Sequence, residues 1–280
     1  VSFAGVPVRE ALDSALVALR GSGSATPELD AELLLAHALG WDRTRLFLER
    51  DTPVEGAAIR VFRDLVRRRT VLREPVAYLL GTRGFRHLDL AVDPRVLIPR
   101  PETELLVELA VAALPPGARV LDVGTGSGAI ALALKDERPD LEVHAVDASA
   151  AALEVARANA RRLRLDVAFA PADLLDGAPD GPWDAVVSNP PYVPDGDRAT
   201  MMHDVVQHEP GDALFAGPDG LDVLRRLLPA CAAVAVPWVA VEHGIGQRGA
   251  VVGLARGAGY PHADVHDDLA GIDRVVVARR

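Results

Sequence analysis

From residue 119 onward the chain alternates short apolar runs with longer amphipathic stretches, and this rhythm restricts the fold more than any other property of the sequence. Runs at residues 120–123, 143–146, 167–170, 185–188, 239–242 and 274–278 have strand length. Helices are predicted between them over residues 130–135, 150–163, 221–228 and 250–255. Strands alternating with helices in this way predict an α/β fold, a mostly parallel sheet covered on both faces. Ligands in such folds bind beyond the carboxyl ends of the strands, where the strand order reverses. The loops that follow strands are therefore where the chemistry is expected.

The first 75 residues follow a helical period instead. Val8, Leu12, Ala15, Leu16 and Leu19 recur at helical spacing before the break at residues 21–24. Thr26 reads as an N-cap with Pro27 at the first helical position, and Leu29, Leu33, Leu34 and Leu35 form an apolar side that ends at Gly40. A further helix is expected over residues 55–71, with Ile59, Phe62, Leu65 and Val66 inward. Residues 76–100 change character, and the alternation at residues 85–92 suggests a short hairpin or extended linker. The expected organisation is a helical domain over 1–75, a hairpin linker over 76–100 and a larger domain over 101–280.

With 280 residues and a net charge of −10, the chain lacks the basic footprint of a broad nucleic-acid-binding surface. Charge is uneven: residues 43–73 hold nine arginines against Glu49, Asp51, Glu55 and Asp64. Arg67, Arg68 and Arg69 are its densest part, either a solvated helix face or a docking surface. Cys231 is the only cysteine, so no intrachain disulfide is possible and a reducing compartment fits. No leader pattern opens the chain, and the longest apolar stretch, residues 227–241, is interrupted by Pro229 and Pro237. The expectation is a cytoplasmic protein without a membrane span. His203 with His208, and His262 with His266, lack the cysteine pair or helix-borne His-Glu arrangement of a metal site, so no metal is expected.

Asp122, Val123, Gly124, Thr125, Gly126, Ser127 and Gly128 lie between the first strand and its helix. Glycines there let backbone amides and the helix amino end approach a ligand. The spacing also satisfies the dinucleotide fingerprint, so the loop alone does not separate NAD from S-adenosyl-L-methionine. Asp122 favours the latter, because a carboxylate beside the loop can meet a cationic ligand. Asp147 ends the second strand 23 residues after Gly124, where it can accept from two ribose hydroxyls; its rival role is an N-cap, which Ser149 could fill. Asp173 follows the third strand and could accept from an adenine amino group while Leu174 packs on the base.

Asn189, Pro190, Pro191 and Tyr192 follow the fourth strand and form a clamp for a planar nitrogen. Prolines fix φ and donate no hydrogen bond, so the carbonyls beyond the strand are held outward. The Asn189 side-chain oxygen and the Pro190 carbonyl could converge on one NH2 group, with Tyr192 adding a flat aromatic face. A hydride-transfer enzyme has no use for this clamp. An adenine-N6 methyltransferase could use it, but would also need to hold phosphates.

In order, the helical start, the block Ile98-Pro99-Arg100-Pro101-Glu102-Thr103-Glu104, the glycine loop, Asp147 and the Asn189–Tyr192 clamp resemble the release-factor glutamine methyltransferases, the HemK/PrmC family. The resemblance covers nearly the whole chain, and the proline-arginine-proline block is its specific part. It implies a class I S-adenosyl-L-methionine-dependent methyltransferase, Rossmann-like, with a mostly parallel seven-stranded sheet and a small N-terminal helical domain. It implies methylation of the glutamine amide in the Gly-Gly-Gln motif of peptide chain release factors. Cofactor positions by this resemblance are Gly124 to Gly128, Asp147 and Leu174, and the glutamine site is Asn189 to Tyr192. Leu174 departs from the aromatic residue common in the family, and Pro237-Trp238 from a glycine turn.

Overall fold

Leucines and alanines at helical spacing build the first of two units in the computed structural model, which describes residues 5–280. That unit runs to Gly81 and also includes the later segment His203–His208. Strands β1 (Val6–Pro7) and β2 (Pro53–Val54) pair across it; its helices are α1 (Val8–Gly21), α2 (Pro27–Leu39), α3 (Arg43–Leu48), α4 (Gly56–Val71) and α5 (Val76–Leu80). Val8, Ala15 and Leu19 of α1, Leu34 and Leu35 of α2, and Phe62 and Leu65 of α4 share one core. Leu29 stays exposed, outside the apolar face expected for it. Helix α3, which the sequence reading did not include, is capped by Asp42, whose carboxylate accepts from Arg45 N at 2.7 Å.

Thr26 stands at the N-cap of α2 with Pro27 first in the helix, as expected, but its hydroxyl makes no cap bond and donates to Asp30 Oδ1 at 3.0 Å. Arg69 Nε donates to Asp30 Oδ2 at 2.9 Å, and Arg69 also pairs with Asp204 in the His203–His208 segment. The Arg69 side chain is 12% exposed, so the arginine cluster is not a uniform docking surface. Arg67 remains exposed, while Arg68 pairs with Glu74 and Arg73 with Asp204.

The second unit begins with a hairpin, β3 (Thr82–Phe85) and β4 (Leu88–Ala91), followed by α6 (Glu104–Ala113). Then come β5 (Arg119–Val123), α7 (Ala129–Glu137), β6 (Glu142–Asp147), α8 (Ala150–Leu163), β7 (Ala168–Pro171) and β8 (Ala185–Ser188). Helix α9 is the His203–His208 segment of the first unit, and α10 (Asp222–Ala233), β9 (Trp238–Glu242), α11 (Arg248–Gly257), β10 (His262–Asp267) and β11 (Asp273–Arg279) close the series. Seven strands form one sheet in the order β10-β11-β9-β8-β5-β6-β7, with β11 antiparallel to both its neighbours. Strand order reverses between β5 and β8.

Successive strand side chains face opposite sides. Val120, Ala185, Val187 and Ala240 enter one core with α6 and α7, whereas Leu121, Val186, Val239 and Val241 enter another with α10 and α11. Burial on both faces is why these strands read as continuous apolar runs. Strand β10 lacks that signature because it is an edge strand, where polar residues such as His262 and Asp264 are tolerated. No helix among the described residues is long and apolar enough to cross a membrane.

Candidate active site

The loops after β5 and β8 are neighbours because those strands pair in parallel, Asp122 opposite Val187. The glycine loop turns through positive φ at Gly124 (75°), Gly126 (56°) and Gly128 (85°). A Cβ at Gly124 or Gly126 would meet no protein atom within 4 Å, and both glycines line a cavity of about 520 Å³. At Gly128 it would sit 2.9 Å from Leu132 Cδ1, so that glycine serves helix packing rather than the cavity wall. Gly124 N and Thr125 N donate to Val146 O at 2.9 and 3.0 Å, and Gly126 N donates to Asp147 Oδ2 at 2.8 Å. The tip of β6 thereby holds the loop that follows β5.

Asp122 departs from its expected role. Its side chain is fully buried and off the cavity wall, accepting from Thr125 Oγ1 at 2.7 Å and from Ala131 N at 3.2 Å. Its Oδ1 has no partner among the described residues, and burial pushes the carboxyl up to about 7. Thr125 and Ser127 are buried beside it, and the Ser127 carbonyl accepts from Asn159 Nδ2 at 3.0 Å. Their side chains support the loop from behind.

Asp147, Asp173 and Leu174 all line the cavity. Asp147 Oδ1 accepts from Ser149 N at 2.8 Å, and burial raises its carboxyl above the usual range. Ser149 caps α8 through Ala152 N at 3.1 Å, which frees Asp147 from that alternative role. Asp173 is exposed and paired with Arg226 at 2.6 Å. Leu174 sits at φ 58°, an unfavourable region for a branched side chain, within a tight turn where Asp173 and Asp176 exchange backbone hydrogen bonds.

Beyond β8, Asn189, Pro190 and Pro191 line the same cavity. Ser188 Oγ donates to Val123 O at 2.7 Å and ties β8 to β5. Asn189 Nδ2 donates to Thr103 Oγ1 at 2.8 Å, and Thr103 Oγ1 donates to Glu242 Oε2 at 2.7 Å. Tyr192, expected to add a flat face to the site, does not line the cavity, and its hydroxyl donates to Glu242 Oε1 at 3.0 Å. Burial pushes Glu242 up to about 7 and raises the Tyr192 phenol as well. Gln247 holds the loop in place, donating from Nε2 to Tyr192 O at 2.8 Å and to Asp219 O at 3.0 Å.

Glu242 and Gln247 had no role in the sequence reading, and Thr103 entered it only within the Ile98–Glu104 block. Glu242 carried a readable signal, since a lone acid ending an otherwise apolar strand must find buried partners. Arg95, Val96 and Leu97 on the cavity wall, and Arg226 opposite them in sequence, had none.

Comparison with known proteins matches residues 10–81 to the PrmC N-terminal domain and residues 101–228 to the methyltransferase small domain. A solved methyltransferase from Pyrococcus furiosus shares the fold at 18% identity, with a TM-score of 0.53 over 69% of this chain and 88% of that one. The fold is that of the class I methyltransferases. The release factor glutamine methyltransferase of Geobacter sulfurreducens is 40% identical, covering 97% of this chain and 96% of its own. That of Deinococcus radiodurans is 44% identical over 98% of each chain. Identity at this level across both units means that this chain belongs to the release factor glutamine methyltransferase family.

Proposed function

We propose that the protein transfers a methyl group from S-adenosyl-L-methionine to the side-chain amide nitrogen of the glutamine in the Gly-Gly-Gln motif of peptide chain release factors. The observation that carries this reading is Asn189 at the tip of β8: it lines the cavity while its Nδ2 is committed to Thr103, so its carbonyl end is the free one. In this reading Gly124, Gly126, Asp147, Asp173 and Leu174 hold the cofactor. The open space beyond the Cβ positions of Gly124 and Gly126 supports that fit, as a side chain there would occupy ligand volume.

A carboxamide nitrogen is a weak nucleophile because its lone pair is delocalised into the carbonyl. Asn189 Oδ1 and the Pro190 carbonyl each accept one of its protons, which orients the nitrogen and raises its electron density. The bound cofactor supplies an electrophilic methyl carried on a sulfonium. Catalysis then rests on positioning and preorganised dipoles, with the pyrrolidine rings holding the acceptors still. The amino-terminal helical unit, set by the sequence at residues 1–75, is the part we assign to release-factor recognition, residues 76–100 to the linker and residues 101–280 to catalysis. Release factors act in the cytoplasm, so that is where this activity belongs.

The test is incubation with isotopically labelled cofactor and a purified release factor, followed by mass spectrometry of the Gly-Gly-Gln peptide. Label on that glutamine, absent from a Gln→Ala substrate, is the expected result. An unlabelled peptide, or label retained by the Gln→Ala substrate, overturns the reading.

A further inference from the structure

Asn189 is held by a relay that begins at a buried carboxylate on another strand. Glu242 ends β9 and is 1% exposed; Thr103 lies in the one-turn 3-10 segment Pro101–Thr103 that leads into α6 and is 4% exposed. Glu242 accepts from two hydroxyls, Thr103 Oγ1 at 2.7 Å and Tyr192 OH at 3.0 Å. When Glu242 is ionised it only accepts, so in that state the single Thr103 proton is committed to it. The Thr103 oxygen can then only accept from Asn189, and the Asn189 group that donates is its NH2. Each link fixes the polarity of the next. The far end of the relay is the Asn189 carbonyl, which has no partner among the described residues.

Resting on the functional reading above, we propose that Thr103 and Glu242 are positioning residues that set substrate specificity: they lock Asn189 with its oxygen outward, so that the site selects a carboxamide NH2 over a carboxylate. With Asn189 Oδ1 and the Pro190 carbonyl both accepting, a glutamine amide meets two acceptors with two protons. A glutamate in the same place meets them with oxygen lone pairs, and its charge is left unpaired. Sites built on such fixed hydrogen-bonding partners reject the mismatched analogue far more strongly than apolar pockets do. Without the Thr103 hydroxyl, Asn189 can rotate its amide by a half turn and offer NH2, which repels glutamine and welcomes glutamate.

The experiment uses the full-length protein and compares Thr103→Val, which keeps shape but removes the hydroxyl, with Thr103→Ser, which restores it. Four quantities are read: kcat and KM on a Gln-bearing release factor, Ki for the same factor carrying Gln→Glu, and the Kd of S-adenosyl-L-homocysteine. Thr103→Val is expected to lower kcat about 30-fold and to cut the ratio of glutamate Ki to glutamine KM at least about tenfold, with Kd unchanged. Thr103→Ser is expected to recover both to within about threefold. Equal losses in Kd and kcat with an unaltered glutamate-to-glutamine ratio would mark a purely structural role and overturn the proposal. So would a Thr103→Val protein that keeps wild-type rate and discrimination. If the wild type itself leaves the glutamine unmethylated, the functional reading fails first, which distinguishes the two failures.

Discussion

Asp147 Oδ2 accepts the Gly126 amide at 2.8 Å, so one carboxylate at the tip of β6 holds the loop that follows β5 while also lining the cavity. The remaining lone pairs on its two oxygens stay available to a ligand. Removing it therefore does two things at once.

Asp147→Ala is expected to weaken binding of S-adenosyl-L-homocysteine by about 100-fold, since a charge-assisted acceptor and the loop anchor are both lost. Isothermal titration calorimetry reads this directly. A change under threefold would mean that the carboxylate serves the loop alone.

Gly126 and Gly128 should fail in different assays. Gly126→Ala carries about 1 kcal/mol of backbone strain at φ 56° but puts its methyl group into the cavity without touching protein atoms, so its larger loss is cofactor affinity. Gly128→Ala drives a methyl group against Leu132 at positive φ and should cost about 2 kcal/mol of stability. Denaturant unfolding and cofactor titration of both variants check the split.

Asn189→Ala removes one of the two acceptors proposed for the substrate amide and should lower kcat on the order of a hundredfold. Cofactor Kd should move by less than about twofold, because the glycine loop and Asp147 are untouched. Stopped reactions under saturating cofactor measure the first quantity, and calorimetry the second.

The arginine-rich helix separates into structural and exposed members. Arg69→Ala leaves Asp30, 4% exposed, without its cationic partner and should destabilise the first unit by about 3 kcal/mol. Arg67→Ala, at an exposed pair with Asp64, should change stability by less than about 0.5 kcal/mol. Thermal unfolding followed by circular dichroism distinguishes them.

Asp122 makes stability depend on pH with a definite sign. Its folded pKa, about 7, lies above the ordinary carboxyl value of 3.8, because burial disfavours the charged form. The stabilising proton is fully retained below the unfolded value and lost as pH rises through the folded one, so stability falls between about pH 4 and pH 7. Glu242, raised to about 7, adds a slope of the same sign. Asp122→Asn removes one contribution, so the variant should gain about 2 kcal/mol on the wild type between roughly pH 5.5 and pH 7.5. Urea denaturation at both pH values measures that gap.

Most of the sheet was legible because buried parallel strands such as β5, β8 and β9 must be apolar throughout, and that is a local property of the chain. The glycine loop and the Asn189–Pro191 turn were legible too, since positive φ and a fixed proline φ leave marks on residue type. Strand β10 escaped because an edge position lets it carry His262, Asp264 and His266. Helix α3 escaped because six residues give too little periodicity.

What residue type left open was where polar side chains turn. Asp122 goes beneath its loop, Tyr192 turns to Glu242, and Asn189 is oriented from Thr103, 86 positions away, which in turn depends on Glu242, 139 positions further on. Local spacing determines strand, helix and loop, and so the chain alone suggests a nucleotide-type loop and a rigid turn suited to a planar nitrogen. Only the pairing of β8 with β5 and β9, and the docking of the turn before α6, decide which hydrogen-bond partner each buried group finds. A polar side chain taken out of water accepts whatever donor the folded neighbours supply, and those neighbours come from distant parts of the chain.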